Sequence, residues 1–121
     1  MRVQKSRSYR DLEIWKLSID LVKEIYSITA KVPDSEVYGL TNQMRRAAVS
    51  ISSNIAEGQG RNSNKIFCQY LDIAIGSVGE LETQLIISKE INYITTEKLD
   101  FMSAILDRIR KMIRSLSRKL P

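Results

Sequence analysis

Histidine is absent from the 121 residues, and cysteine occurs once, as Cys68. The first absence removes the commonest general base, the Ser-His and Cys-His nucleophile pairs, and most zinc and di-iron ligand sets. A single cysteine excludes an intrachain disulfide. Proline occurs twice and glycine five times, so breaks in regular structure are few and easily located. Aromatic residues make up only 7% of the chain, and several fall on helical seams, so a stacking platform for single-stranded nucleic acid is not evident. No apolar run approaches the roughly 18 residues of a membrane span, and the basic start from Met1 to Lys5 leads into Ser6-Arg7-Ser8 rather than an apolar stretch. The chain is therefore expected to stay off membranes, in the cytoplasm.

What is present is charge, unevenly placed. Nineteen Lys and Arg stand against fourteen Asp and Glu, a net charge of +5. Arg2, Lys5, Arg7 and Arg10 give residues 1–10 a charge of +4 with no acid. Arg108, Arg110, Lys111, Arg114, Arg118 and Lys119, offset only by Asp107, give residues 107–121 a charge of +5. The stretch between them sums to −4, so the molecule is a mildly acidic body with basic ends, and concentrated patches produce stronger local potentials than dispersed charge.

Four segments carry helical periodicity. The first, from about Asp11 to Lys31, has a seam at Leu12, Trp15, Ile19, Val22 and Tyr26, spaced 3 and 4 residues apart. A second stripe, Ile14, Leu21, Ile25, Ile28 and Val32, follows the same helix and suggests a further partner for it. The next helix is expected from near Thr41, as N-cap, to about Arg61, with Leu40, Met44, Ala47 or Ala48, Ile51 and Ile55 inward. Pro33 ends the first helix, and Gly39 in the linker can take a positive φ. Ser63 caps a third helix with the long seam Phe67, Leu71, Ala74, Val78, Leu81, Leu85 and Ser88, inside which Gly76 and Gly79 are expected to mark a close helix crossing. The fourth begins at Thr95 or Thr96 and presents Leu99, Met102, Leu106, Ile109, Ile113, Leu116 and Leu120. No segment alternates with period two. The expected fold is all-α, an antiparallel up-down-up-down four-helix bundle over residues 11–121 preceded by a basic arm over residues 1–10.

Few motifs suggest chemistry. Gly58-Gln59-Gly60 precedes a helix but follows another, and it lacks the Lys-Ser or Lys-Thr of a phosphate loop, so it reads as a C-cap and turn. Glu80 and Glu82 fall on different helix faces with no Glu-x-x-His to complete a metal site, and Cys68 lacks a base. No metal or cofactor is expected. Arg45 and Arg46 could grip phosphate, but pairing with Glu57, Glu80 or Glu82 is the favoured reading. Asn54 lies near the seam, where a buried amide helps to fix register. For the basic run of the last helix three readings compete: a solvated face matching the helix dipole, a phosphate-contacting surface, and membrane-surface binding, the last weakened because the bundle needs the apolar face.

Tyr38-Gly39-Leu40-Thr41-Asn42-Gln43-Met44-Arg45-Arg46-Ala47-Ala48-Val49-Ser50-Ile51, with Ser53-Asn54-Ile55-Ala56-Glu57-Gly58, closely resembles the bacterial four-helix bundle family of 23S rRNA intervening-sequence proteins. Leu12-Glu13-Ile14-Trp15, Ala74-Ile75-Gly76-Ser77 and Glu80-Leu81-Glu82-Thr83-Gln84-Leu85 extend the resemblance over about residues 9–117. Ser52 departs from it, since the family usually has Pro there. The resemblance implies a ring-like homopentamer that uses the second stripe of the first helix, in a bacterial, cytoplasmic protein whose genes were first noted inside insertions in ribosomal RNA genes. A similar bundle is the accessory protein of diversity-generating retroelements, where a basic pentamer associates with a reverse transcriptase and nucleic acid. The family signature falls here on Arg45, Arg46, Asn54, Glu57, Gly58, Glu80 and Glu82, as architecture and without a catalytic role.

The sequence thus leads to a non-enzymatic homo-oligomer that binds structured RNA or another nucleic acid through the basic residues of its two ends. The competing reading is a protein-interaction scaffold or accessory subunit, for example of a reverse transcriptase, that does not touch nucleic acid.

Overall fold

A computed structural model describes residues 8–121, apart from the side chain of Asp11. Its elements are α1 (Glu13–Thr29), α2 (Leu40–Gln59), α3 (Asn64–Glu90) and α4 (Thr96–Lys119), with 3-10 turns at Tyr9–Asp11 and Asp34–Glu36 and no strand among the described residues. The helix stops and starts follow local chemistry. The Ser63 Oγ accepts the Ile66 N–H at 3.2 Å and the Thr95 Oγ1 accepts the Lys98 N–H at 3.1 Å, each satisfying one orphan donor of a first turn. α3 ends in a left-handed Asn92, φ 65°, with the Tyr93 N–H bonded back to Ser88 O and the Asn92 N–H to Lys89 O. Two expectations fail at the start of α2. Its N-cap is Gly39 with φ −112°, and Thr41 lies buried in the first turn. A β-carbon at Gly39 would stand 2.9 Å from the Glu36 Oε1, the movable end of a flexible side chain, and φ is not positive, so neither backbone crowding nor a left-handed conformation requires glycine there.

All four helices contribute to one aliphatic core. Met44, Ala48, Ile51 and Ile55 of α2 meet the full α3 seam from Phe67 to Leu85, with Met102, Leu106, Ile109 and Ile113 of α4. The side chain of Met44, near the start of α2, touches Ser88 near the end of α3; Ser50 meets Ser77; and Gly58 lies on Phe67 and Tyr70. On α1 the core face is not the expected one. Ile14, Leu21, Ile25, Ile28 and Val32 are buried, whereas Leu12, Trp15, Ile19 and Val22 are half-buried and Tyr26 is exposed. Both stripes share the same periodicity, but the aliphatic one fills a core without burying an indole N–H or a phenol O–H that would need a partner.

Three glycines sort by what surrounds them. A β-carbon on Gly58 would stand 2.6 Å from the Tyr70 Cβ and 2.9 Å from the Phe67 Cδ1, so α2 approaches α3 here more closely than any other residue would permit. At Gly76 and Gly79 nothing lies within 4 Å of such an atom, which overturns the expected close crossing: these two glycines face outward. Opposite responses to alanine follow. Gly58→Ala should destabilise the subunit by about 1–3 kcal/mol through overpacking, whereas Gly76→Ala should stabilise it by up to about 1 kcal/mol through helix propensity, both read from denaturant midpoints.

Candidate nucleic-acid interface

The buried line of α4 decides where its charges point. With Met102, Leu106, Ile109 and Ile113 inward, Lys111, Arg114 and Arg118 are exposed and fall at spacings of 3 and 4 along one outer stripe, about 10 Å from first to last. Arg108 and Lys119 are exposed beside them. Among the described residues no ion pair engages any of these five. Arg110 differs from the rest of the run. Its Nη1 donates to the Asp107 Oδ1 at 2.6 Å and its Nη2 to the Glu82 Oε1 at 3.1 Å, with the arginine side chain 21% exposed. Arg110 therefore clamps α4 to α3. At the other end of the chain, Tyr9 and Arg10, assigned from sequence to the basic arm, form a turn in which the Tyr9 ring packs 5.1 Å from Trp15 and the Arg10 guanidinium lies 5.8 Å from the Tyr9 ring. Arg2, Lys5 and Arg7 lie outside the described residues.

The signature residues find partners other than those expected. Arg45 and Arg46 pair with no carboxylate among the described residues. Arg45 instead lies 4.4 Å above the Tyr26 ring, with its Nε donating to the Thr29 Oγ1 at 2.9 Å, while Arg46 is exposed. Glu57 accepts from the Arg61 Nη2 at 3.1 Å, and the same guanidinium donates to the Tyr70 hydroxyl. Those bonds, to Glu57 foremost, raise the Arg61 pKa. Glu82 belongs to Arg110, and Glu80 is exposed on the outside of α3. The Asn54 amide donates to Ser50 O at 2.8 Å and to the Ser50 Oγ at 3.0 Å, and that hydroxyl meets the Ser77 Oγ across the helix interface. A second cross-link ties the loops: the Tyr93 hydroxyl donates to the Glu36 Oε2 at 2.8 Å, which raises the Tyr93 pKa.

One feature escaped the sequence reading. Tyr26, Tyr38, Thr41, Asn42, Arg45 and Arg46 line a cavity of about 640 Å³ between α1 and the start of α2. The pairing of Tyr26 with Arg45 bridges two helices and has no local signature, although Tyr38 at the edge of the Arg-Arg motif was the available clue. Among the described residues no three His, Cys, Asp or Glu side chains converge to hold a metal ion, and no helix is long and apolar enough to cross a membrane.

Four helices around one aliphatic core define an all-α protein whose polar chemistry is carried on its outer surface. Residues 10–115 match the family described as 23S rRNA-intervening sequence protein, and the chain belongs to that family. Its fold is similar, with a TM-score of 0.78 and 23% identity over 88% of this chain and 99% of the other, to that of a protein of unknown function from the S23 ribosomal protein family of Bacteroides thetaiotaomicron. No curated protein matches the chain.

The two kinds of arginine on α4 should separate in mutants. Arg110→Ala should lower the thermal midpoint by a few degrees while leaving the outer charge stripe in place. Arg114→Ala should leave the midpoint within about a degree of the parent, because its side chain holds nothing in the fold; thermal unfolding followed by circular dichroism compares the two.

Proposed function

We propose that the protein is a non-enzymatic, cytoplasmic homo-oligomer of up-down-up-down four-helix bundles that binds structured RNA or another nucleic acid through the outer face of α4. The carrying observation is the stripe Lys111, Arg114 and Arg118, exposed, regularly spaced and without a carboxylate partner among the described residues. Internal pairing would have consumed such charges; Arg110, one residue away, is consumed in that way. Arg108 and Lys119 widen the surface, and Arg2, Lys5, Arg7 and Arg10 add a second basic segment to each subunit. Phosphate contacts of this kind position a backbone without reading bases, which fits an α4 stripe that carries no aromatic residue.

Binding should obey counterion release. In filter-binding titrations with structured RNA and duplex DNA, affinity should fall steeply between 50 and 200 mM salt. Lys111→Ala, Arg114→Ala and Arg118→Ala together should flatten the log–log salt slope by about 0.7–0.9 for each phosphate contact removed. Absence of salt-sensitive binding at micromolar protein would leave the scaffold reading, including service as an accessory subunit of a reverse transcriptase.

Self-association is supported by the apolar surface that the four-helix core leaves over. Trp15, Ile19 and Val22 on α1 stay half-buried, and Ile66, Ile73 and Ile87 stand exposed at seven- and fourteen-residue intervals along the outside of α3, beside the open Gly76. The interface therefore draws on the α1 stripe opposite to the one first expected to serve it. Light scattering should return about five times the 13.9 kDa subunit mass, and a mass of one subunit would refute assembly.

A further inference from the structure

We propose that the cavity between α1 and the start of α2 is a nucleotide subsite, in which Arg45 and Arg46 hold a phosphate and the Tyr38 ring stacks on the base. The inference rests on the nucleic-acid reading for its ligand class, but it concerns a different face. α2 packs on α1 and α3, whereas α4 packs on α3 and α1, so the cavity and the α4 stripe lie on different sides of the molecule.

Three observations point to this ligand. The cavity wall includes two arginines and no acid, and neither arginine is ion-paired among the described residues. Two other guanidiniums are paired with carboxylates: Arg61 at the surface with Glu57, and the half-buried Arg110 with both Glu82 and Asp107. Second, Arg45 is held before any ligand arrives. Its Nε is bonded to the Thr29 Oγ1 and its plane rests on Tyr26, so two Nη groups remain for an incoming anion while much of the side-chain entropy has already been lost. The forked donors of arginine suit a phosphate better than a point charge would. Third, Tyr38 is 93% exposed at the rim, an aromatic face offered almost entirely to water. Stacking of a base on such a ring is tolerant of sequence, and Asn42, Thr41 and Ser50 supply hydrogen-bonding groups for a sugar or a base edge. The volume, about 640 Å³, lies within the range of small-molecule sites. Glu36 precedes the lining residue Val37 in the chain, and its Oε2 accepts from the Tyr93 hydroxyl, a bond that orients the carboxylate without removing its charge.

The source of the nucleotide is either a free mononucleotide or one unit of a single-stranded RNA. The test uses the full chain with AMP, inorganic phosphate, a labelled single-stranded RNA hexamer and an acidic peptide, followed by fluorescence anisotropy and by NMR of the Tyr38 ring and the arginine Nε–H groups. AMP should shift these resonances saturably and bind more tightly than phosphate. Tyr38→Ala and Arg46→Gln, both at exposed positions, should weaken the hexamer about five- to hundredfold with unchanged thermal midpoints, and Arg45→Lys should weaken it too. A preference of the hexamer over AMP identifies RNA as the source; equal affinity per nucleotide identifies the free ligand, and either supports the subsite. The subsite is overturned if AMP binds no better than phosphate, if the acidic peptide saturates the site and AMP does not, or if the Tyr38 and Arg46 variants bind like the parent. The triple variant of Lys111, Arg114 and Arg118 separates the two surfaces. Loss of structured-RNA binding there with AMP binding intact supports both; unchanged RNA binding there, with AMP binding lost in the Tyr38 variant, sinks the α4 reading alone.

Discussion

Where α2 crosses α3 at Gly58, the two backbones come near enough that even a methyl group would collide with Tyr70 and Phe67. That approach draws the seams of both helices into one plane of contact, and Ser50, Ser77 and Asn54 continue it with a polar link, so that Met44 and Ser88 meet at the far end. With the helices so placed, Arg45 of α2 reaches Tyr26 of α1, and Glu82 of α3 reaches Arg110 of α4. The small side chains of α2 are therefore instruments of position. Their effect is felt on surfaces they do not themselves form.

The basic residues divide according to what the fold already gives them. Arg61 and Arg110 are occupied by carboxylates and act as cross-links within or between helices. Lys111, Arg114 and Arg118 are left to solvent by the rotation of α4 about its buried line. Arg45 is intermediate, anchored by a hydroxyl and a ring and paired with no carboxylate among the described residues. Net charge conceals these distinctions, because a satisfied arginine and a vacant one contribute equally to +5.

Much of the fold was legible because the seams of α3 and α4 are long and unambiguous, and Ser63 and Thr95 cap where hydroxyls should. The family resemblance was legible in the run around Arg45 and Arg46, and it is upheld. What failed did so where two patterns were equally periodic or where a partner lay on another helix. On α1 the two stripes could be separated only by asking which one lacks buried polar atoms. The glycines of α3 looked alike in sequence, yet Gly58 of α2 is the one pressed against a neighbour, while Gly76 and Gly79 face open space. Arg45 found an aromatic ring and a threonine sixteen residues away instead of a carboxylate, a choice fixed by helix packing and invisible to spacing.

The placement of Trp15 has a spectroscopic consequence. It is the chain's single tryptophan, it sits half-buried on the outer side of α1, and the ring of Tyr9 leans against it. Its indole emission therefore reports on the docking of the N-terminal turn and on whatever covers that side of the helix. The aliphatic core itself is optically silent in the tryptophan window, so emission and far-ultraviolet ellipticity follow two different events when this protein unfolds or assembles.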